Sequence, residues 1–286
     1  TGDHFIAQVL PAPRPNDRSP AFWWLVGRYL ADGWISNRPG RPGRGTVTIC
    51  CRASEAAEVQ ERITAAGYHA TRSNERTVVR WIISRTEFFQ FVQQFGRYAH
   101  GKRLPRVALE LDQERSRSLL DGYVSGDGYR CENPPIGGPY HRITTVSKAL
   151  ALGVALLAQR AYGVVASVRC YPGSPRTEIE GRSVNQRPQW FVSIPERNRS
   201  AFVEGDLGWK QVRSTEPCGL GTVYNISVAE DESYVADGAI VHNCQPWSLA
   251  GKRQGTADER WLWQDLWRVL RELGCPYVFL ENVPGL

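Results

Sequence analysis

The chain has 286 residues, 42% of them hydrophobic, with a net charge of +6 and a sequence pI of about 9.0. This length allows two domains with ample core. No apolar run reaches the roughly 18–20 residues that a membrane-spanning helix requires, which argues against a membrane partner.

The cysteine and arginine content indicates the cellular compartment and the class of partner. Seven cysteines, an odd number without Cys-x-x-Cys pairs, favour reduced thiols and a cytoplasmic protein. Adjacent Cys50 and Cys51 are predicted to pack on a strand. The positive charge favours a polyanionic partner. Nearly all the basic residues are Arg, however, and a GC-rich genome would also produce that composition.

The first residues, Thr1-Gly2-Asp3-His4, form a polar motif that is typical of a capped turn. The proline-rich segment 11–15 predicts a linker. The chain contains no Met and opens within a motif, so we expect a fragment of a longer reading frame.

The segment 20–33 predicts a helix, with Pro at its start, an apolar body and an Asp-Gly stop. Gly27 and Ala31 lie four residues apart and share one face of this helix. Because glycine in a helix interior costs about 1 kcal/mol relative to alanine, another element is expected to pack closely there. The same pattern recurs at residues 118–128, where Gly122 takes the place of Gly27.

The residues that follow each helix repeat as well. A strand at 47–49 and a helix capped by Ser54 follow the first helix, and that second helix closes at a glycine. A strand at 143–146 and a helix capped by Ser147 follow the second, again with a glycine stop. Two copies of one unit predict a pseudo-two-fold domain with the two glycine-faced helices packed at its axis.

Each repeated helix ends in an aspartate, Asp32 or Asp127, so the axis would bring two carboxylates together. Two anions at the negative ends of two helix dipoles repel each other and resist ionisation. A shared divalent cation relieves that repulsion, and all-oxygen ligation favours Mg²⁺. The pair therefore predicts a metal site able to activate water and stabilise a leaving phosphate oxygen. A single Asp-Gly would more simply be a helix-ending turn.

These repeats resemble the LAGLIDADG homing endonucleases found inside inteins. Leu25 to Gly33 and Leu120 to Gly128 match the two motif copies, with the acidic position filled both times. The resemblance implies an α+β domain over 14–206 with two αββαββα-like repeats, acting as a monomeric Mg²⁺-dependent nuclease on double-stranded DNA. It also implies that Lys102 lies near the active centre, while Lys148 remains a second candidate.

The family's DNA surface is a saddle of strands, so strands are expected at 77–83, 140–146, 164–170 and 189–194. Arg80 and Arg142 are candidates for DNA binding there, since arginine can read guanine edges in a major groove. The aromatic helix at 87–95 is predicted to be core instead of a stacking platform.

His242-Asn243-Cys244 forms a reactive junction in the last part of the chain. An Asn side chain can attack its own main-chain carbonyl, closing a succinimide and cutting the chain after itself. A neighbouring His can transfer the proton that the leaving amide needs, and Cys accepts acyl groups as thioesters. An ordinary polar turn is the alternative for the tripeptide alone.

Residues 224–244 resemble the C-terminal end of an intein, a self-splicing element with the all-β Hint fold. The resemblance assigns 207–243 to this region and 1–13 to the remnant of its N-terminal part, where Thr1 and His4 would assist splicing. Strands are expected at 209–213, 223–228 and 233–236. Glu232 stands where such inteins often carry a His, and we expect the first splicing nucleophile upstream of Thr1.

Residues 244–286 resemble the middle of a DNA cytosine-5 methyltransferase, an α/β enzyme that uses S-adenosyl-L-methionine. Cys244-Gln-Pro would carry the thiolate that attacks a flipped-out cytosine, and Glu281-Asn-Val the acid that contacts the ring. Cys244 would then serve splicing first and methyl transfer afterwards. Because no cofactor-binding segment is recognised before it, we expect this chain alone not to methylate DNA.

Together these resemblances predict an intein that carries a homing endonuclease and interrupts a cytosine-5 methyltransferase. Three alternatives remain open. The nuclease domain would be a catalytically inactive DNA-binding module, or the function of the chain would be that of the host methyltransferase. The third, a plain regulatory binding protein, is disfavoured by the splice junction.

Overall fold

The computed structural model describes residues 4–135, 137–174, 177–179, 181–184, 186–217, 233–236 and 239–242. These residues divide between two units. The first holds the described residues up to Glu216 together with Ala239, and the second holds Pro217, Ser233–Ala236 and the rest of the last strand. Thr1, Asn243, Cys244 and Glu281 lie outside the described residues.

The first unit contains all the helices found in the described residues. They are α1 Pro20–Asp32, α2 Ala56–Ala65, α3 Thr86–Gln93, α4 Arg106–Leu109, α5 Gln113–Asp127 and α6 Lys148–Tyr162. The strands are β1 Phe5–Val9, β2 Gly33–Asn37, β3 Gly45–Arg52, β4 Thr71–Asn74, β5 Val78–Ile83, β6 Gly128–Cys131, β7 Tyr140–Thr145, β8 Ser167–Tyr171, β9 Thr177–Ile179, β10 Arg182–Val184, β11 Gln189–Pro195, β12 Ala201–Glu204, β13 Leu207–Gln211, β14 Ser233–Ala236 and β15 Ala239–His242. Across the described ranges, no helix is both long and apolar enough to cross a membrane.

The first repeat runs from α1 to α3 in the order αββαββα, as the sequence predicted. Its sheet has the strand order β2-β3-β5-β4, with antiparallel pairing throughout. Alternate residues of β5 are buried, so that Val79, Trp81 and Ile83 face the core. Arg80 lies between them on the outer face. The predicted strand at 77–83 is confirmed.

The second repeat, from α5 to β11, has a sheet of order β6-β7-β11-β8 and an additional hairpin, β9-β10. The expected last helix of this repeat is absent, because the described residues from 196 to 217 form strands and loops. Residues 201–211 instead form the β12-β13 hairpin, and β13 also pairs with β1, so the backbone there is used in strand pairing. The Asn198 side chain accepts from Val165 N and donates to Gly163 O, each over 2.9 Å, next to the end of α6.

Helices α1 and α5 cross where the two glycines meet the backbone of the opposite helix. A Cβ atom on Gly27 would lie 2.0 Å from Leu119 O, and one on Gly122 would lie 2.0 Å from Trp24 O. No side chain fits at either position, so glycine is what permits this approach. The prediction of two closely packed, glycine-faced helices is confirmed.

Side chains cap the first turns of α1, α5 and α6, whereas α2, α3 and α4 have no side-chain cap. Ser19 caps α1 through Phe22 N with Pro20 next, and Ser147 caps α6 through Leu150 N. Gly163 ends α6 with a φ of 68°. The prediction that Ser54 caps α2 is wrong, since Ser54 lies inside a 3₁₀ turn, Ala53–Glu55, that precedes the helix.

The predicted aromatic helix is confirmed as core. Phe88 and Phe89 of α3 and the following Phe95 are at most 1% exposed. Phe88 packs edge-to-face on Phe22 and Phe95 on Trp23 of α1, and such ring contacts contribute beyond the area that they bury. The cysteines of the described residues are free, and Cys51 is buried on β3 as predicted.

The strands on either side of the repeated domain pair in a separate sheet of order β12-β13-β1-β15-β14. β13 pairs antiparallel with β1, where Val9 lies opposite Leu207, and with β12 on its other side. β1 also pairs with β15 through Gln8 and Ala239. The predicted strand at 209–213 thus lies at 207–211, and the expected domain limit at 206/207 falls in the turn of the β12-β13 hairpin. That limit stays a prediction.

Candidate active site

The structure brings Asp32 and Asp127 to the same end of the packed helices. Each is the last residue of its helix, and a strand starts at the glycine that follows it. A Cβ atom on Gly126 would lie 2.8 Å from Oδ2 of Asp32 and 2.5 Å from Cβ of Ala31. The carboxyl of Asp32 therefore lies directly against the last turn of α5.

Both carboxyls resist ionisation, as the sequence predicted. Burial, and after it the nearby charge of Asp32, raises the pKa of Asp127 to about 6. The pKa of Asp32 is also raised by burial, against the opposing effect of Arg28 and Lys102. Loss of water is thus the larger cause at both carboxyls, and the charge of Asp32 is the second cause at Asp127.

Lys102 is a buried lysine, 6% exposed, whose ammonium group lies at the end of α1. Its Nζ donates to Leu30 O over 2.8 Å and also to Tyr29 O, Ala31 O and Gly33 O over 3.0–3.3 Å. These carbonyls surround the backbone of Asp32. Burial lowers the pKa of Lys102 to about 8, although both nearby aspartates oppose that shift.

A tight loop between α3 and α4 positions Lys102 beside the end of α1. Gly96 has a φ of 95°, and a Cβ atom on it would lie 2.1 Å from Gly101 O. Tyr29 Oη donates to Gly96 O over 2.6 Å, so the loop is fastened to α1 itself. The carbonyl of Lys102 accepts from the Ser147 hydroxyl over 2.6 Å, which links the same loop to the cap of α6. Lys102 thus connects both repeats.

Arg28 belongs to this site and escaped the sequence analysis. Its guanidinium is 3.4 Å from Asp32 and 2.7 Å from Glu55, and it donates to Ser125 Oγ over 3.3 Å. The i,i+4 spacing of Arg28 and Asp32 on one helix was the available signal. Tyr123 occupies the matching position of α5, so the two carboxylates have different surroundings.

The pair of carboxylates fits Mg²⁺ by its donor chemistry, since hard oxygen atoms are its preferred ligands. Within the described ranges, no group of three His, Cys, Asp or Glu residues could hold a metal ion. Asp32 and Asp127 would therefore supply two ligands, and water or a substrate phosphate would supply the others, as is usual for Mg²⁺.

Arg80 and Arg142 lie on the outer faces of the two sheets. Arg80 forms an ion pair with Glu75 and lies 5.4 Å from the ring centre of Trp34. Arg142 contacts the Tyr140 hydroxyl and lies 5.6 Å from the ring centre of Phe191. Their role in DNA binding stays a prediction.

The alternative lysine lies elsewhere. Lys148, at the start of α6, has its Nζ 5.9 Å from the ring centre of Trp190, whereas Lys102 contacts the backbone around Asp32. Of the candidate splicing residues, His4 is exposed and its carbonyl accepts from Val212 N over 2.8 Å. His242 ends β15.

The family of C-5 cytosine-specific DNA methylases matches residues 243–286. Three curated proteins named iron-sulfur cluster assembly SufBD family protein are each 29% identical over 191 residues, one from Mycobacterium bovis and two from strains of Mycobacterium tuberculosis. The match covers 63% of this chain, and the chain spans 19% of the length of these relatives. Most of the similarity therefore lies before residue 243.

Several solved structures are similar to this chain over 61–64% of its length. I-DmoI in complex with DNA and Ca has 14% sequence identity, a TM-score of 0.41 and 82% of its chain covered. The N-terminal LAGLIDADG domain of DUF199/WhiA has 12% identity, a TM-score of 0.37 and 79% covered. Because these scores are low, the function of the site is inferred from the geometry of Asp32, Lys102 and Asp127.

Proposed function

We propose that residues 14–206 form a Mg²⁺-dependent endonuclease of the LAGLIDADG type that cuts double-stranded DNA. The observation that supports this is the pair of glycine-faced helices, which cross closely and end in two adjacent carboxylates. An Asp-Gly pair that only ended a helix would not need a second carboxylate beside it. Here two carboxylates and a buried lysine lie together, which concentrates charge where a phosphodiester reaction would use it.

The chain's own residues prepare this site. Asp32 and Asp127 would hold Mg²⁺, which supplies water activation and charge stabilisation at a leaving oxygen when bound. Lys102 fixes the carbonyls around Asp32, and Arg28 fixes its carboxylate from the other side. Because these contacts form in the free protein, the Asp32 carboxylate is positioned before DNA arrives.

We also propose that this domain is set in a self-splicing element, with its C-terminal end at Asn243, inside a cytosine-5 methyltransferase. Two findings support that arrangement. The methylase match begins at residue 243, next to the predicted junction. Most of the similarity to proteins named for iron-sulfur cluster assembly lies upstream of it. A segment shared by proteins with unrelated names is what a mobile insert would give.

In this arrangement Cys244 and Glu281 belong to the host enzyme. His242 would transfer the proton during cyclisation of Asn243. After splicing, the Cys244 thiolate would attack cytosine in an enzyme that uses S-adenosyl-L-methionine. All three functions remain compatible, because splicing removes the nuclease from the methyltransferase.

A plasmid library with randomised sites tests the nuclease proposal. The purified chain is incubated with the library with and without Mg²⁺, and the ends of cut molecules are sequenced. We expect cuts that require Mg²⁺ and cluster at one sequence. Binding to the library without any Mg²⁺-dependent cut would instead identify an inactive DNA-binding module.

A further inference from the structure

The ammonium group of Lys102 is enclosed by backbone oxygen atoms. An ammonium group has three N–H donors, and four carbonyl oxygens lie within 3.3 Å of this Nζ. Lys102 is 6% exposed. Among the described residues, its hydrogen-bond partners are these carbonyls, and neither Asp32 nor Asp127 is one of them. Every donor of Lys102 is thus already used inside the protein, so none is left for a phosphate or a water molecule at the site.

The positions of these carbonyls explain what the buried charge does. Leu30 O and Ala31 O belong to the last turn of α1, where a helix leaves its carbonyls without intrahelical partners. A cation at the C-terminal end of a helix is also favourable to the helix dipole. Lys102 therefore caps α1 at the turn that ends with Asp32, and it fixes the backbone on both sides of that residue.

Tyr29 and Ser147 hold the loop that carries this cap. Tyr29 is 0% exposed, its hydroxyl donates to Gly96 O over 2.6 Å, and its ring centre lies 5.3 Å from Nζ of Lys102. At the other end of the loop, the Ser147 hydroxyl donates to Lys102 O over 2.6 Å. The loop is thus fastened both to α1 and to the start of α6, which keeps the ammonium group beneath the last turn of α1.

The second motif copy differs at the position of Tyr29. Val124 stands there, and its side chain has no hydroxyl to offer a loop. Asp32, in the first copy, is also the carboxylate that Arg28 contacts at 3.4 Å. The end of α1 is therefore held by contacts that the end of α5 cannot reproduce with the same residues.

We propose that Lys102 is a positioning residue for Asp32 that does not contact the substrate, and that Tyr29 in turn positions Lys102. Its effect passes through the backbone at the end of α1, whereas a general base or a phosphate contact would need a free donor or lone pair facing the reacting atoms. This inference rests on the proposed nuclease function, because it assigns roles within that site. It makes the buried Tyr29 hydroxyl necessary for a full rate of cleavage.

Hydrogen exchange of the full chain measures the cap directly, without metal or DNA. Lys102→Met removes the charge and keeps a long side chain. It should speed amide exchange at residues 30–36 by about tenfold or more, because hydrogen bonds from a charged donor are lost. Tyr29→Phe should speed exchange there by about two- to tenfold, as expected for one neutral hydrogen bond. The matched control Tyr98→Phe removes an exposed hydroxyl from the same loop and should match the wild type.

Single-turnover cleavage of a site selected from the library separates positioning from loss of stability. At saturating DNA, Lys102→Met should cut about tenfold to a hundredfold more slowly, because a displaced reacting group costs rate. Tyr29→Phe should also cut more slowly, and Tyr98→Phe should cut as fast as the wild type. All three variants should keep the DNA affinity of the wild type within about threefold, since none of the replaced groups is expected to contact DNA.

The two measurements together decide the role of Lys102. If Lys102→Met stops cleavage while its exchange at residues 30–36 and the cleavage rate of Tyr29→Phe both stay at wild-type values, Lys102 acts on the reacting atoms and the inference is overturned. Tyr29→Phe covers the case in which Lys102→Met does not fold, and wild-type exchange and cleavage by Tyr29→Phe would then overturn the inference. A wild type that cuts no site with Mg²⁺ would reject the nuclease proposal, and the exchange result would still show whether Lys102 caps α1.

Discussion

Asp32 and Asp127 occupy the same motif position, yet their surroundings differ. Asp32 is held by Arg28 at 3.4 Å, while Tyr123 stands at the matching place beside Asp127. The charge of Asp32 raises the pKa of Asp127 further, after burial has already raised it. Because of this added effect, Asp127 is the carboxyl whose pKa is used below to predict pH dependence.

The pKa of Asp127 predicts how stability depends on pH without metal. Its folded pKa of about 6 lies above the ordinary value of 3.8, so the stability linked to its protonation is present below 3.8 and lost as pH rises through 6. Asp127→Asn should therefore raise the unfolding free energy at neutral pH by about 1 kcal/mol, since solvent on one side screens the carboxylate.

Chemical denaturation in EDTA between pH 4 and 8 measures this effect. The gain should shrink toward pH 4, where both proteins are neutral at this position. The control Asp17→Asn changes an exposed carboxylate before α1 and should stay within about 0.5 kcal/mol of wild type. A variant less stable than wild type at neutral pH would contradict the assignment.

At the scale of elements, the crossing of α1 and α5 depends on missing side chains. Alanine at Gly122 normally would favour a helix by about 1 kcal/mol. Here its Cβ atom would meet Trp24 O at 2.0 Å, so the helices would have to separate. Gly122→Ala should lower the unfolding free energy by about 3 kcal/mol.

Gly101→Ala is the matched control for that substitution, because nothing lies within 4 Å of a Cβ atom at this site. It should change the unfolding free energy by less than about 0.5 kcal/mol. Thermal or urea denaturation of both variants compares them directly. Equal stability would mean that the helices do not cross at Gly122.

Arg160 of α6 joins both ends of the repeated domain. Its guanidinium donates to Pro11 O over 2.5 Å, to Leu109 O over 2.6 Å and to Asp206 over 2.9 Å. It is thus fixed to the segments next to β1 and β13. Arg160→Gln should lower the unfolding free energy by about 2 kcal/mol, because partly buried carbonyls lose a charged donor.

Arg106→Gln is the control, since that arginine is exposed and its partner Glu110 keeps a second ion pair, with Arg14. Surface pairs contribute at most about 1 kcal/mol. Arg160→Gln should also speed protease cleavage near residue 11, a site where Arg106→Gln should behave as wild type. If both variants lose the same unfolding free energy, the contacts of Arg160 do not stabilise the fold.

The elements that the sequence predicted best are those with local signals. Ser147 and Gly163 bound α6 as expected, since capping depends on near neighbours. The start of α5 at Gln113, five residues before the predicted segment, follows from Asp112 as its cap. The missing last helix was not predicted, because residues 207–211 pair with β1, which is far away in the sequence and gives no local pattern.

For the whole molecule, the motif copies predicted that two aspartates share one site. Lys102 was a candidate by resemblance, but its four carbonyl partners come from a loop closure that the sequence does not reveal. Such a long-range contact leaves no local pattern in the sequence.

The predicted junction makes a separate whole-molecule prediction. Cyclisation of Asn243 needs only its amide, a carbonyl within reach and proton transfer from His242. The purified chain should slowly release a peptide that begins at Cys244. Asn243→Ala should stop the release, and His242→Ala should slow it. Mass spectrometry after long incubation checks this, and equal release from wild type and Asn243→Ala would indicate ordinary proteolysis.

The most direct test of the nuclease is cleavage of a plasmid that carries the site selected from the library. Wild type, Asp32→Asn, Asp127→Asn and the double variant are compared at matched DNA occupancy across a Mg²⁺ titration. Wild type should linearise the plasmid with Mg²⁺, and neither single variant should produce double-strand breaks, because each carboxylate contributes to the metal site. Full Mg²⁺-dependent cutting of both strands by the double variant would contradict the account.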